Sequence, residues 1–480
     1  MHFPPCIEDF YFKLFPRSLR LIQAMNNTSQ SPDLKAELKS YVKPIFVEIA
    51  LVMLLGAVDT VMLSHLDTGV EGGSDNAVAA VGLDNQLFNL VILIFQFVSV
   101  GTGIVCAQYI GAGFKKKLVQ VVGISLMVNA VVGGVMSVFL GLKTEAVLEF
   151  MDLAPELMED GTTYLRIIGS FAFFQAIGLA FSASLRSAGM TKYPMRVTVI
   201  VNIINIIGNY SLIFGHFGLP KLGVEGAAIS TVICRGISML AMGIIHTKKH
   251  IDKYPLAWFS PFPWAELKNV LKIGVPAAGE NLSYCLSQVV ITYFINQLGN
   301  TALATRTYCA NCIMFVNLFC ISVVQGGGIV VGHLIGAKKK IAAFLMGNFV
   351  YRYALIITLI VGTALALAGH SILSFLTSNE EIIRLGTIIF FIDIILDIGR
   401  VGNIFATGTL RSTGDAVYPV IIGIFFQWSI AVGISYLLGI TFGLGLIGMW
   451  IGFTLDENVR ALILRRRWKS KRWATKSLVK

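Results

Sequence analysis

The sequence predicts an all-α integral membrane protein with twelve transmembrane helices in two six-helix lobes related by a pseudo-two-fold axis. Three observations lead to this prediction. Hydrophobic residues make up 55% of the 480 residues and charged residues only 14%, and the mean hydropathy is +0.74. Charge-poor runs of about 20 residues, long enough to cross a bilayer as helices, recur along the chain. The two halves of the sequence also repeat each other.

The repeat is clearest in a short motif that occurs once in each half. LRSAG at residues 185–189 returns as LRSTG at residues 410–414, a shift of 225 positions, and each copy is followed by Tyr-Pro. The same shift aligns Arg235 with Arg460. Near the start of each half the shift is 232, which pairs Pro44 and Glu48 with Pro276 and Glu280. Two related halves built of apolar segments are typical of transporters.

Each half contains six candidate spans. In the first half they cover about residues 42–64, 78–109, 118–141, 162–184, 196–215 and 225–246. In the second half they cover about residues 274–297, 302–335, 342–368, 384–407, 416–439 and 444–463. These spans define an amino-terminal lobe and a carboxy-terminal lobe, residues 40–247 and 273–464.

Three predicted segments lie outside the lobes. They are a cytoplasmic arm, a basic and proline-containing cytoplasmic linker, and a basic cytoplasmic tail: residues 1–39, 248–272 and 465–480. The arm has no uninterrupted apolar run before a cleavage site, so we expect no signal peptide. Translation from Met1 and translation from Met25 both stay open.

Loop charges predict the orientation in the membrane. Basic residues concentrate in alternate loops, at residues 115–117, 186–196, 248–272, 338–340 and 465–467. Acids concentrate in the other loops, at residues 67–75, 145–160 and 380–381. Because basic loops stay in the cytoplasm, we expect a plasma or inner membrane protein with both termini in the cytoplasm. This placement accounts for the net charge of +11 without a nucleic-acid partner.

The first lobe contains ionisable and amide side chains where a bilayer makes them costly. Glu48 and Asp59 are 11 residues apart in the first span, so they share a helix face about 16 Å apart. Asn202, Asn205 and Asn209 recur on one face of the fifth span, where they either line the same cavity or only hydrogen-bond between helices. Intramembrane acids are usually functional. We therefore predict an ion-coupling site at Asp59 and the three asparagines, which could hold H⁺ or Na⁺.

The second lobe differs from the first at these positions. Ile291 stands where the repeat would place the counterpart of Asp59, and Tyr284 adds to a polar cluster after Glu280. The tenth span has two acids and an arginine at i, i+4 and i+7, which either face the cargo or pair internally. The predicted substrate-cleft residues are Glu48, Glu280, Tyr284, Asp393, Asp397 and Arg400.

Motifs for other chemistry are absent from the sequence. The sequence contains no G-x-x-x-x-G-K-[ST] loop, the motif that would predict direct use of ATP. It also contains no G-x-S-x-G motif, which would predict a catalytic nucleophile. The Cys309-x-x-Cys312 pair lies in a predicted span and has no second ligand pair, so we expect no metal site. We therefore predict no catalytic residues, no cofactor and no enzymatic activity. Secondary transport driven by an ion gradient remains.

Several motifs resemble those of one transporter family. VDTVM at residues 58–62, followed by AVAAVG at residues 77–82, resembles the first-helix signature of the multidrug and toxic compound extrusion (MATE) family. The repeated Leu-Arg motif, with Asn205 and Asn209, extends the resemblance to roughly residues 40–465. It implies two lobes in a V and export of organic cations in exchange for H⁺ or Na⁺. It also implies that Asp59 is the family's coupling acid and Asn205 its fifth-helix neighbour.

The chain departs from that family pattern in its second lobe. Many members have an acid on helix seven about two turns beyond the proline, where this chain has Tyr284. On helix ten an acid often precedes the Leu-Arg motif by 11 residues, where this chain has Arg400. A second-lobe cation site like that of such members therefore stays open.

Other functions also stay open from the residues alone. A flippase for a lipid-linked precursor, from a related superfamily, would share the two-lobe plan, but we expect more spans and a cationic cavity there. A membrane-embedded enzyme or receptor would need a catalytic cluster or a large extramembrane domain. We favour a monomeric antiporter whose partners are small organic cations and membrane lipid. The substrate, the ion and the stoichiometry stay undetermined.

Overall fold

The computed structural model describes residues 34–66, 73–251 and 253–479. The predictions that fall on residues 1–33, including Met25, and on the acids Asp67 and Glu71 lie outside these ranges. Within them every regular element is helical. The long helices are α1 Leu34–Ser64, α2 Gly73–Ala112, α3 Lys115–Phe150, α4 Pro155–Ser170, α5 Ala172–Ser187, α6 Lys192–Phe214, α7 Gly223–Lys249, α8 Trp264–Gln297, α9 Asn300–Gly336, α10 Lys340–Leu376, α11 Glu380–Thr413, α12 Val417–Thr441 and α13 Gly445–Lys469.

The helices agree with the predicted spans in position but most are longer. The fourth predicted span is two helices, α4 and α5, which meet at a bend of 47°. Helix α2 has 40 residues, about 60 Å of helix, whereas the hydrocarbon core is about 30 Å thick. Hydropathy marks only the part of a helix that prefers lipid, and backbone hydrogen bonding continues beyond it.

Eight helices in the described part of the chain are long and apolar enough to cross a membrane, or nine if α4 and α5 form one span. The long helices outside this set are α8, α11 and α13. Those three contain most of the interior charges that the sequence analysis used or overlooked. The structure therefore agrees with an all-helical membrane protein, and the count of twelve spans stays a prediction.

The chain forms two compact units, and their boundaries lie inside helices. One unit comprises Pro44–Leu282, and the other comprises the described residues up to Lys43 together with Ser283–Lys480. The first ten residues of α1 thus belong with the second half of the chain, and the first nineteen of α8 with the first half. These boundaries differ from the predicted lobes at residues 40–247 and 273–464.

Much of the predicted linker is packed structure. Residues 264–272 form the start of α8, where Val270 is fully buried and Glu266 is 5% exposed. A Cβ atom on Gly101 of α2 would lie 2.2 Å from the Val270 carbonyl oxygen, so α8 approaches the α2 backbone closely at this glycine. The linker prediction rested on charges and prolines. It overlooked that Val270 and Ile273 give this helix an apolar face.

The predicted basic tail is likewise part of a core. Helix α13 continues to Lys469, and Trp468 and Trp473 are 0% and 1% exposed. Their rings stack with centroids 4.7 Å apart, and Trp468 packs directly on Gly347 of α10. Arg465 packs on the Tyr351 ring and Arg467 pairs with Asp415 at 2.8 Å, so charge alone gave an incomplete description of this segment.

Candidate functional site

The unit formed by Pro44–Leu282 brings Asp59 of α1 together with two of the three predicted asparagines. Asn209 of α6 donates a hydrogen bond from Nδ2 to Asp59 Oδ1, at 2.7 Å. Asn209 Nδ2 also lies 3.3 Å from Asn205 Oδ1. Asn205 and Asn209 are 2% and 1% exposed. Because residues four apart on a helix share a face, α6 presents both amides at one place.

Contacts with α7 fix the position of Asn205. Its Nδ2 donates to Ser230 Oγ at 3.3 Å, and the Ser230 hydroxyl donates to the Asn205 carbonyl oxygen at 3.3 Å. The helices are close here because Gly208 has no side chain: a Cβ atom would lie 2.5 Å from Ser230 Oγ. Asn205 is therefore held in place by its neighbours on α7, which orients the oxygen that faces Asn209.

Asn202 has a different partner. Its Nδ2 donates to the Leu51 carbonyl oxygen at 3.0 Å, about two helical turns from Asp59 along α1. The contact ties α6 to α1 through the backbone. The sequence left two roles open for Asn202, lining a cavity or hydrogen bonding between helices. The geometry matches hydrogen bonding between helices.

The Asp59 cluster has the ligands that a small cation needs. The carboxylate and the Asn205 amide oxygen are hard oxygen donors, which suit Na⁺, and the carboxylate can alternatively take a proton. Asn209 Oδ1 is buried and has no hydrogen-bond partner in the described part of the chain, so it offers a further acceptor. The Asp59 carboxylate is the group that both ions would use, and Na⁺ would also need the amide oxygens.

Arg235 of α7 is a residue near this cluster whose role the sequence analysis missed. Its guanidinium lies 4.1 Å from the ring centroid of Phe88 and within electrostatic range of Asp59. Its Nη1 is buried without a hydrogen-bond partner among the described residues. The repeat already aligned Arg235 with Arg460. A basic residue that recurs inside a predicted span of both halves could have identified Arg235 as a candidate site residue.

Glu48, a predicted cleft residue, pairs with Arg186 of α5. Glu48 Oε1 lies 2.6 Å from Arg186 Nη2, and Glu48 is 6% exposed. Its repeat counterpart Glu280 is partly exposed on α8. Tyr284, which belongs to the other unit, is 55% exposed. Glu48 therefore contacts a basic side chain of its own unit.

The other unit brings together the three predicted residues of α11. Arg400 Nη1 lies 2.7 Å from Asp397 Oδ1 and 3.3 Å from Asp393 Oδ2. The same Nη1 donates to Asn317 Oδ1 at 3.3 Å, and Trp450 Nε1 donates to Asp393 Oδ1 at 3.2 Å. The i, i+4, i+7 spacing thus does place them on one face, and the arginine lies between the two acids.

A second set of charges in this unit was missed by the sequence analysis. On α13, Arg460 Nη2 lies 2.5 Å from Asp456 Oδ2 and 3.1 Å from Glu457 Oε1. Asn403 of α11 donates to Glu457 Oε2 at 2.9 Å. All three charged residues lie within the twelfth predicted span. Asp59 was singled out because ionisable residues inside a span are usually functional, and the same reasoning applies to these three.

Asp84 of α2 is a further acid inside a predicted span that the sequence analysis overlooked. It is 0% exposed, and neither carboxyl oxygen has a hydrogen-bond partner in the part of the chain that the structure describes. Asp84 lies inside the second predicted span, and a charged residue at that place could have been identified from the sequence as a candidate functional residue.

Comparison with known proteins gives a consistent result. The MatE family model matches residues 44–211 and 276–437. The uncharacterized transporter YisQ of Bacillus subtilis is 38% identical over 91% of this chain and 94% of its own length. The probable multidrug resistance protein NorM of Thermotoga maritima is 28% identical over 94% of this chain and 96% of its own length.

Solved structures show the same fold. A MATE crystal structure in the bent conformation aligns with a TM-score of 0.83 at 20% identity, over 95% of this chain and 98% of that one. An outward-facing multidrug resistance MATE family transporter of the MOP superfamily aligns with a TM-score of 0.79 at 21% identity, over 91% and 96% of the two chains.

Proposed function

The chain belongs to the MatE family of multi-pass multidrug efflux transporters, which are not enzymes, and from this premise we propose that it exports organic cations from the cytoplasm in exchange for H⁺ or Na⁺. The observation that carries the proposal is the hydrogen bond between Asn209 and the carboxylate of Asp59, at 2.7 Å. It places an ionisable oxygen beside buried amides in a helical bundle, where its charge strongly affects any nearby cation.

Coupling follows from the charge of Asp59. When H⁺ or Na⁺ binds the carboxylate, the negative charge that attracts cationic cargo is neutralised, and cargo affinity falls. By linkage, bound cargo lowers the affinity for the ion by the same factor. Exchange results when each ligand is bound on the side where the other is released. Arg235 adds a positive charge nearby, so the site repels cationic cargo once Asp59 has been neutralised.

We extend the proposal to topology. All twelve segments cross the plasma membrane when α4 and α5 count as one, both termini are cytoplasmic, and the protein is a monomer. The charges of α11 and α13 support their crossing because they are paired within one unit, which lowers the cost of insertion. For α8, the crossing is supported by its sequence: Glu280 is the only charged residue from 273 to 297.

The test is efflux of ethidium, a fluorescent organic cation, from liposomes that contain the purified protein. A proton gradient and a sodium gradient are imposed separately, and one of them is expected to drive efflux. Asp59→Asn should abolish the response while the protein still inserts and folds. Asp75→Asn, an exposed acid on α2, is the matched control and should transport normally.

Two results would contradict the proposal. If Asp59→Asn exports ethidium at the normal rate, Asp59 is not the coupling site. If neither gradient moves ethidium in the wild-type protein but a lipid-linked precursor crosses the bilayer, the flippase alternative is correct.

A further inference from the structure

The buried face of α2 contains one acid among apolar residues. Ala77, Ala80, Asp84 and Phe88 follow at helical spacing, and each is at most 1% exposed. This periodicity is that of a helix stripe packed into a core. Asp84 thus occupies a position where the helix would ordinarily have an apolar side chain.

The Asp84 carboxyl lies near Gly161 of α4, at a place where leucine side chains also pack. A Cβ atom on Gly161 of α4 would lie 3.7 Å from Asp84 Oδ2, 3.5 Å from Leu148 Cδ1 and 3.1 Å from Leu153 Cδ2. Asp84 Oδ2 therefore lies within van der Waals reach of the Gly161 position, which two leucine side chains also approach. Both of its oxygens are buried without a hydrogen-bond partner within the described ranges.

Charged and titratable groups on the neighbouring helices do not pair with Asp84. Tyr164, one turn from Gly161 on α4, donates its hydroxyl to Asn85 Oδ1 at 3.4 Å and lies in electrostatic range of Asp84, Asp59 and Arg235. On α3, Glu149 is exposed and Glu145 pairs with Arg166 at 2.7 Å. On α4, Glu156 and Glu159 are exposed and Asp160 is partly exposed, and on α3 the lysines at 115–117 and 143 are exposed. Arg235 of α7 stacks on the Phe88 ring, one turn from Asp84. Arg186 on α5 pairs with Glu48, and Glu266 on α8 accepts from Tyr109.

These contacts decide which ligand Asp84 can take. An ionised carboxylate that is buried without a partner is strongly unfavourable. A metal cation would need several oxygen ligands, and Gly161, Leu148 and Leu153 offer no side-chain oxygen. A proton needs no further ligands and turns the group into a neutral acid.

We propose that Asp84 is a second proton-binding site of the transport cycle, separate from Asp59. In the present conformation Asp84 holds a proton. When the packing of α2 against α3 and α4 loosens, water reaches the carboxyl and the proton leaves to it. The reverse step takes a proton from water before the helices close. This proposal rests on the antiport proposed above and adds one proton to its stoichiometry.

Infrared spectroscopy of the reconstituted protein tests the protonation state directly. The wild type should show a C=O stretching band of a protonated carboxyl, and this band should be missing from Asp84→Asn. Asp75→Asn, the exposed acid on the same helix, should retain it. If wild type and Asp84→Asn have the same carboxyl bands, Asp84 does not hold a proton in this conformation and the proposal fails.

The proton count tests the role in transport. Protons exchanged per ethidium are measured in weakly buffered liposome suspensions over a range of pH. Asp84→Asn should exchange one proton fewer than the wild type. Asp84→Leu, which matches the leucine side chains nearby, provides a second folded variant and should lose the same proton. A folded variant of either kind with the wild-type count overturns the proposal.

The two proposals fail in distinguishable ways. A wild-type protein that exchanges neither H⁺ nor Na⁺ for ethidium contradicts the proposed antiport. A wild-type protein that exchanges ions normally, with an unchanged count in the Asp84 variants, contradicts only the second site.

Discussion

Glu48 and Arg186 form an ion pair between α1 and α5, with Glu48 Oε1 2.6 Å from Arg186 Nη2. The two residues are 138 positions apart, and nothing in the local sequence of either indicates the other. The Glu48 side chain is 8% exposed and that of Arg186 is 31% exposed. The pair therefore joins two helices of one unit at a place that water only partly reaches.

Glu48→Gln should destabilise the protein. The substitution leaves Arg186 without its counter-ion in a partly buried place, so we expect a loss of about 2 kcal/mol, below the range for fully buried pairs because Arg186 is partly solvated. Chemical unfolding in detergent measures the loss, with Asp75→Asn as the exposed control. Unchanged stability together with weaker ethidium binding would instead mean that Glu48 contacts the cargo.

Asn209→Ala should impair coupling far more than Asn202→Ala. Both residues lie on α6, but only Asn209 donates to Asp59, whereas Asn202 donates to the Leu51 carbonyl oxygen. A lost hydrogen bond to a charged group costs about 1.5–3 kcal/mol, so gradient-driven ethidium efflux should fall about tenfold or more in Asn209→Ala. Asn202→Ala should retain most of the efflux. Equal losses in both variants would mean that α6 packing, and not the contact with Asp59, is responsible.

Arg400→Gln should leave Asp393 and Asp397 without their cation. Removing one partner of a buried charge cluster typically costs about 3–5 kcal/mol, and we expect a loss in this range by thermal or chemical unfolding. The triple variant Asp393→Asn, Asp397→Asn, Arg400→Gln should recover much of the stability because no unpaired charge remains. If Arg400→Gln is as stable as the wild type and changes ethidium affinity, the cluster binds cargo instead of stabilising its own unit.

Trp468→Ala should remove a central part of one unit's core. Trp468 is fully buried and stacks on Trp473, and truncation of a buried aromatic side chain costs about 3–5 kcal/mol. The matched control is Trp264→Ala, since Trp264 is 70% exposed and should change stability little. Thermal unfolding measured by intrinsic fluorescence compares the two. Similar stability for both variants would contradict the packed arrangement of the carboxy-terminal segment.

Gly101→Ala should be tolerated poorly and Gly56→Ala well. A Cβ atom at Gly101 would lie 2.2 Å from the Val270 carbonyl oxygen, whereas one at Gly56 meets nothing within 4 Å. Both glycines lie inside helices, so the intrinsic gain in helix propensity, about 1 kcal/mol, is similar. Only the steric cost at Gly101 differs. The yield of folded protein on size-exclusion chromatography should fall for Gly101→Ala alone, and equal yields would contradict the close approach of α8 to α2.

The sequence by itself determined the helical membrane class, the internal repeat, the approximate position of the apolar spans and the placement of Asn205 and Asn209 on one helix face. These are local properties: apolar run length sets where a helix prefers lipid, and a spacing of four residues sets which side chains share a face. Asp59 was identified for the same reason, because a charge inside an apolar run is visible without a structure.

Only the tertiary structure decided which partner each side chain has. It paired Glu48 with Arg186, separated Asn202 from Asp59, and packed Val270 and Trp468 into cores although their neighbours in sequence are basic. It also left Asp84 beside Gly161 without a hydrogen bond in the described part of the chain. Helical periodicity fixes the face on which a residue lies, but the residue opposite is set by how the helices pack, and that depends on contacts more than a hundred positions apart in the chain.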